Sequence, residues 1–150
     1  MPATLSLYNN WAHNVGRGVD LSTPPTVNVV LLSSAYTPNQ DTHAVYADLT
    51  NELSTANGYT NGGLALTGVT WNRATAVATF DAADAVWNVV TANLVARRFA
   101  LRVVGTFNSL VSPLIGYGFL DDTPADVVTT PGNSLSLLWS ASGIFTVTRT

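Results

Sequence analysis

The sequence predicts an all-β domain: an antiparallel β-sandwich or jelly roll of about eight strands behind a short N-terminal helix. Three observations lead there. After Pro24-Pro25 the chain breaks into short runs rich in Val, Thr, Leu and aromatics, separated by Gly, Asn, Pro and Asp, which is the texture of strands and turns. Those runs recur at a spacing of about 8–12 residues, as in sandwiches and barrels. The one stretch with helical periodicity precedes the prolines. The chain therefore divides into an N-terminal helical arm, residues 1–25, and a β-sandwich domain, residues 26–150.

The helix is expected within Leu5 to Val19. Tyr8, Trp11, Ala12 and Val15 recur at spacings of three and four, with Ser6 as a candidate N-cap. Gly16 and Gly18 weaken its end, and the prolines stop it. Thr26 to Ser34 is nearly continuous in Val and Leu, which fits a central, well-buried strand. A polar loop follows from Tyr36 to Asp41, then an extended piece from Val45 and a helical turn near Asp48 to Leu53.

Leu64 to Asn72 alternates but changes phase at Gly68, the pattern of a β-bulge. Arg73-Ala74 turns the chain into Thr75 to Phe80, where Ala76, Ala78 and Phe80 share a face. Val86 to Val90 is a short strand. Ala96 to Phe107 is the longest run, with Phe99, Leu101 and Val103 opposite the arginines. Leu114 to Phe119 follows, then a loop from Asp121 to Pro131. Ser134 to Trp139 and Ile144 to Arg149 read as a closing hairpin around Ser142-Gly143.

Charge is scarce. Only 10% of the 150 residues are charged, there is no lysine, and the formal net charge is −3; ordinary domains are about 25% charged. Exposed charge keeps a monomer soluble and solitary, so this composition points to a subunit whose surface is covered by other protein. Nothing supplies a basic stripe for nucleic acid or a polybasic segment for a membrane. Arg97, Arg98 and Arg102 lie close together and suit either a phosphate patch or the planar forks of a protein interface; the lack of further positive charge around them in the sequence favours the interface. The lack of cysteine excludes disulfides and thiolate chemistry. Met1 to Leu5 lacks the basic-then-apolar pattern of a secretory signal, and apolar runs such as Val29 to Leu32 are too short to span a bilayer. A soluble product of a cytoplasm is expected.

Candidate chemistry is thin. His13 and His43 have no HxH or HxxxH partner, so a site with Asp41 or Asp48 finds little support. The Asp121-Asp122-Thr123-Pro124-Ala125-Asp126 loop lacks the alternating oxygens of a calcium loop and reads as a solvated turn. Glu52 is the sole glutamate, and no nucleophile elbow, Walker loop or dinucleotide fingerprint is present. No enzyme, metal or cofactor is expected. Trp11, Trp71, Trp87 and Trp139 suit a sugar platform, yet in β domains tryptophans more often fill the core or anchor an interface. Tyr59 sits between two Asn-Gly steps that supply positive φ, as a contact residue or a plug over the sandwich end. The candidate interface comprises Tyr8, Trp11, Val15, Tyr59, Arg97 and Arg98.

Five segments resemble a family of small virion proteins of tailed bacteriophages: Gly18 to Leu21, Val27 to Pro38, His43 to Leu49, Asn57 to Gly63 and Gly143 to Thr148. The Gly-Tyr-Thr-x-Gly-Gly element from Gly58 to Gly63 is the most telling. The resemblance implies a structural component of the virion, foremost a capsid decoration (cement) protein made in the bacterial cytoplasm. Its partners would be the major capsid protein or neighbouring virion subunits, with a homo-oligomer, such as a trimer, expected. A neck or tail subunit and a virion-displayed glycan- or receptor-binding sandwich are the alternatives. No residue role is carried over. The helical arm is the expected docking element.

Overall fold

The computed structural model describes residues 3–21 and 26–150. The elements run β1 (Ser6–Leu7), α1 (Asn10–Gly16), β2 (Val27–Leu32), a 3-10 turn (Tyr46–Asp48), β3 (Leu64–Ala65), β4 (Thr70–Ala74), β5 (Val77–Asp81) and β6 (Ala85–Asn88). They continue with β7 (Leu94–Ala96), β8 (Arg98–Val103), β9 (Thr106–Phe107), β10 (Leu110–Val111), β11 (Leu114–Phe119), β12 (Val127–Thr129), β13 (Ser134–Leu137) and β14 (Phe145–Thr148). The molecule is predominantly β, all pairing is antiparallel, and its strands form several small sheets.

The largest sheet has the order β1-β11-β8-β2-β3. The Val/Leu run of β2 forms because both of its faces are covered. Val27, Val29 and Leu31 join the main core, whereas Val30 and Leu32 join a second cluster with Tyr36 and Ala100. Strand β8 shows the expected division: Phe99, Leu101 and Val103 enter the main core, and Arg98 and Arg102 stand on the opposite face with Ala100. A register shift between Leu114 and Gly116 interrupts the pairing of β11 with β8.

The main core lies under this sheet and draws on the remaining strands. Phe80, Trp87, Leu135, Leu137 and Trp139 all belong to it. Phe99 meets Trp139 edge-on, with ring centroids 5.7 Å apart. The other strands form a three-stranded sheet β14-β5-β4 and the ribbons β13-β6, β12-β7 and β10-β9.

Several boundaries differ from the expectation. Residues 96–107 do not form one strand: the end of β7, β8 and β9 share it, because β7 pairs with β12 whereas β8 pairs with β2 and β11. Gly68 is not a bulge within a strand. It lies where the chain leaves the five-stranded sheet at β3 and enters the three-stranded sheet at β4. The last two strands are not a hairpin either, since β13 pairs with β6 and β14 with β5. Ser142-Gly143 is thus a crossing between sheets.

The N-terminal segment is shorter in helix and more integrated than its periodicity suggested. Ser6 belongs to β1, which pairs with β11, and Asn9 takes the N-cap position. The helix has seven residues. Trp11, Val19 and Leu21 are part of the main core, so residues 3–21, expected as a separable arm, share the interior of the strands. The Pro24-Pro25 break lies outside the described residues.

Candidate interaction surfaces

The outer face of the five-stranded sheet is covered by the segment 36–53, which a chain of hydroxyls fixes in place. Tyr8 Oη and Tyr36 Oη lie 2.7 Å apart, and Tyr36 Oη lies 2.9 Å from His43 Nδ1. The Tyr8 ring packs on Tyr117 at 4.8 Å between centroids. Tyr8 is 1% exposed. Burial, with the bond to Tyr36 second, pushes its phenol well above the ordinary tyrosine range, and burial raises Tyr36 as well. A phenol in low dielectric resists ionising because the phenolate would lose its water. Asn14 Nδ2 and Asn10 Nδ2 donate to the carbonyls of Ala44 and Asp41, tying α1 to the same segment.

The second fixed point is Glu52. Its Oε2 accepts from Tyr46 Oη at 2.5 Å, and its Oε1 accepts from Tyr59 Oη and from the Gly62 amide, both at 2.6 Å. Tyr59 Oη in turn accepts from the Leu31 amide at 3.2 Å. The loop arrives there through a two-residue turn at Asn57-Gly58, with φ of +57° and +94°, closed by reciprocal bonds between Ala56 and Tyr59. Two successive positive-φ residues make the I′ turn that asparagine and glycine favour. Burial, then the Glu52 carboxylate, lifts Tyr46 to about 12 and raises Tyr59 still further above its usual value.

The arginines are distributed, not pooled. Arg102 lies over the Tyr46 ring at 4.1 Å and donates from Nε and Nη2 to the Gly62 carbonyl. Arg98 lies 4.3 Å above the Phe119 ring. Arg97 Nε pairs with Asp126 at 2.8 Å. Three neighbours in sequence thus serve three local partners, each within its own chain, and no common phosphate site results.

Of the six candidate interface residues, Tyr8, Trp11 and Tyr59 are 1%, 5% and 2% exposed. All three are corrected to interior positions: Tyr8 and Tyr59 by their hydroxyl partners, and Trp11 by its edge-on packing against Phe145 at 6.2 Å. The Tyr59 hydroxyl lies between the Glu52 carboxylate and the Leu31 amide. Val15 is exposed, and Arg97 and Arg98 are half-buried with the partners described. Trp87 and Trp139 are buried, and Trp71 is half-buried against Phe145.

The exposed surface that sequence reasoning passed over lies on the two ribbons β6–β13 and β7–β12. Alternation turns Ala85, Trp87, Leu94, Ala96, Leu135 and Leu137 inward and leaves Val86, Val95, Ser134 and Ser136 outside. Val95 and Val128 are direct cross-strand partners, 41% and 53% exposed. Val86, Val90 and Leu138 are exposed nearby in the chain. Residues 85–96 and 127–148 contain no charged side chain, a sequence signal that marks this face in advance.

Comparison with protein-family models, with curated proteins and with solved structures finds no match. Among the described residues, no group of three or more His, Cys, Asp and Glu is placed to hold a metal. No described helix is long and apolar enough to cross a membrane.

Proposed function

We propose that this protein is a structural component of a tailed-bacteriophage virion, foremost a decoration subunit that stabilises the head shell through protein–protein contacts. The β layers then act as a two-sheet sandwich that presents one neutral face to the major capsid protein or a neighbouring virion subunit. The observation that carries the reading is the uncharged outer face of the ribbons β6–β13 and β7–β12. Interface cores are depleted in charge and gain from apolar area, at about 25 cal/mol per Å² removed from water. Desolvating hydroxyls and amides that find partners costs little, whereas desolvating an unpaired charge costs much. The segments quoted above, Gly58 to Gly63 most of all, support the same reading.

The buried tryptophans speak against the glycan platform. Trp11, Trp87 and Trp139 are used for packing, so none of these three offers an exposed aromatic shelf. Immunogold labelling of particles from the virus that carries the gene tests the proposal. Label on the head is the expected result. Label confined to the neck or tail moves the subunit there, and unlabelled particles overturn the virion assignment.

A further inference from the structure

One ring nitrogen of His43 holds the loop from Tyr36 to His43 closed. Tyr36 Oη lies 2.9 Å from Nδ1, and the Asn39 amide donates to the same atom at 3.4 Å. The Asn39 carbonyl accepts from the His43 amide in return, at 3.1 Å. Asn39 Oδ1 accepts from the Asp41 and Thr42 amides, so the turn between the two residues is organised from the same end.

The one member that cannot reverse fixes the direction of these bonds. A backbone N–H can only donate, so Nδ1 offers a lone pair and the ring proton sits on Nε2. Tyr36 then donates to Nδ1, and its oxygen is left to accept from Tyr8, 2.7 Å away. The phenols agree. Burial raises both, and the bond between them raises Tyr8 further but lowers Tyr36, as it does when Tyr8 is the donor.

A proton on Nδ1 undoes each of these bonds. It sets donor against donor at the Asn39 amide and turns the ring from acceptor to donor toward Tyr36. The Tyr36 proton must then swing to Tyr8, whose own proton has no other acceptor among the described residues, at a site 1% exposed. A buried donor left without its bond is the costly case. The charged groups around the ring are engaged elsewhere. Asp41 accepts from Asn9 Nδ2, and Asp48 from the Ala44 and Val45 amides. Arg98 from β8 and Tyr117 from β11 face the two phenols, and Arg98 lies on Phe119. Helix α1 turns Asn10 and Asn14 toward the carbonyls of His43 and Ala44, and its own His13 is exposed.

We propose that His43 is an acid-sensitive latch: a proton on Nδ1 releases the Tyr36–His43 loop from the outer face of the five-stranded sheet while the rest of the fold stays closed. Release uncovers the apolar cluster of Val30, Leu32 and Ala100 against which Tyr36 packs. The open loop takes up the proton that the closed loop excludes. Closure is therefore favoured above the ordinary histidine value of about 6.5 and is lost as the pH falls below it. One proton is involved, so opening should rise about tenfold between about pH 7.5 and about pH 5.5. The inference concerns the isolated chain and does not rest on the virion reading.

Hydrogen exchange of the full chain, read by mass spectrometry over residues 36–43, tests it at those two pH values, both above the range of ordinary carboxylates. The exposed loop 121–126 of the same chain is the reference, which cancels the intrinsic pH dependence of exchange. In the wild type, exchange over 36–43 relative to the reference is expected to rise about tenfold at the lower pH. His43→Asn keeps an acceptor near the place of Nδ1 but does not titrate, and should abolish the rise. His13→Asn should leave it intact. An unchanged ratio in the wild type, a rise that persists in His43→Asn or vanishes in His13→Asn, or a rise shared by every strand overturns the proposal. Nitrogen-15 spectra of the wild-type imidazole test it without a variant: at about pH 7.5 Nδ1 should be unprotonated and hydrogen-bonded, and a proton on Nδ1 there overturns the proposal by itself.

Discussion

Tyr59 Oη lies 2.6 Å from Glu52 Oε1, and the same oxygen accepts the Gly62 amide at 2.6 Å. The only glutamate of the chain therefore closes the loop that carries the two Asn-Gly steps. Hydrogen bonds to a charged acceptor contribute about 1.5–3 kcal/mol each. Glu52→Ala leaves the buried Tyr59 hydroxyl and the Gly62 amide without their acceptor, and a loss of about 3 kcal/mol is expected. Urea unfolding checks it, with an unchanged m-value showing that the loss is one of stability.

The hydroxyl chain makes a sharper distinction. Tyr36→Phe deprives Tyr8 of its hydroxyl partner at a site only 1% exposed, and about 2 kcal/mol should be lost. Tyr8→Phe leaves Tyr36 bound to His43 and should cost about 1 kcal/mol or less. Equal costs for the two variants would show that the chain is not cooperative in this order.

Alkaline pH provides a second route to the same groups. Tyr8, Tyr36, Tyr46 and Tyr59 are all raised above the ordinary tyrosine value of about 10, Tyr46 to about 12. Their folded forms hold protons that the unfolded chain releases near pH 10, so this contribution is present below pH 10 and is lost as pH rises toward and through the folded values. Stability should be level from pH 7 to 9 with respect to these groups and fall above about 10. Ultraviolet titration should show their ionisation coinciding with unfolding.

Two glycines with similar backbone angles should respond differently. Gly63 has φ of +90°, and a Cβ there would lie 2.5 Å from the Val29 carbonyl oxygen. Gly132 has φ of +85° with open space around it. Gly132→Ala carries only the conformational penalty of about 1–2 kcal/mol. Gly63→Ala adds the clash of a turn pressed on β2 and should cost at least about 1 kcal/mol more. Thermal melts of the two variants compare them directly.

The β character was legible because strand periodicity is local: β2, β5, β8 and β11 follow alternation or apolar runs that any window of the chain displays. Sheet membership was not. Whether β13 meets β14 or β6 depends on contacts between residues far apart, and Ser142-Gly143 looks the same in a hairpin turn as in a crossing. Residues at the site misled for a related reason. Tyr8, Trp11 and Tyr59 carry amphipathic or aromatic side chains that suit an interface equally well, and only the positions of Tyr36, Phe145 and Glu52 turn them inward. The uncharged stretches 85–96 and 127–148 were visible all along, but their joint meaning needed the ribbons to bring them onto the surface.

In the proposed virion, the neutral ribbon face is covered by another subunit. Val95→Asp with Val128→Arg tests it in one step, because both side chains are exposed, opposite charges on direct cross-strand partners do not repel, and surface changes of this kind usually alter stability by within about 0.5 kcal/mol. The measurement is the occupancy of this subunit in purified particles assembled with the double variant, set beside its melting temperature. A normal melt and particles depleted of the subunit are expected. Normal occupancy with a normal melt would contradict it.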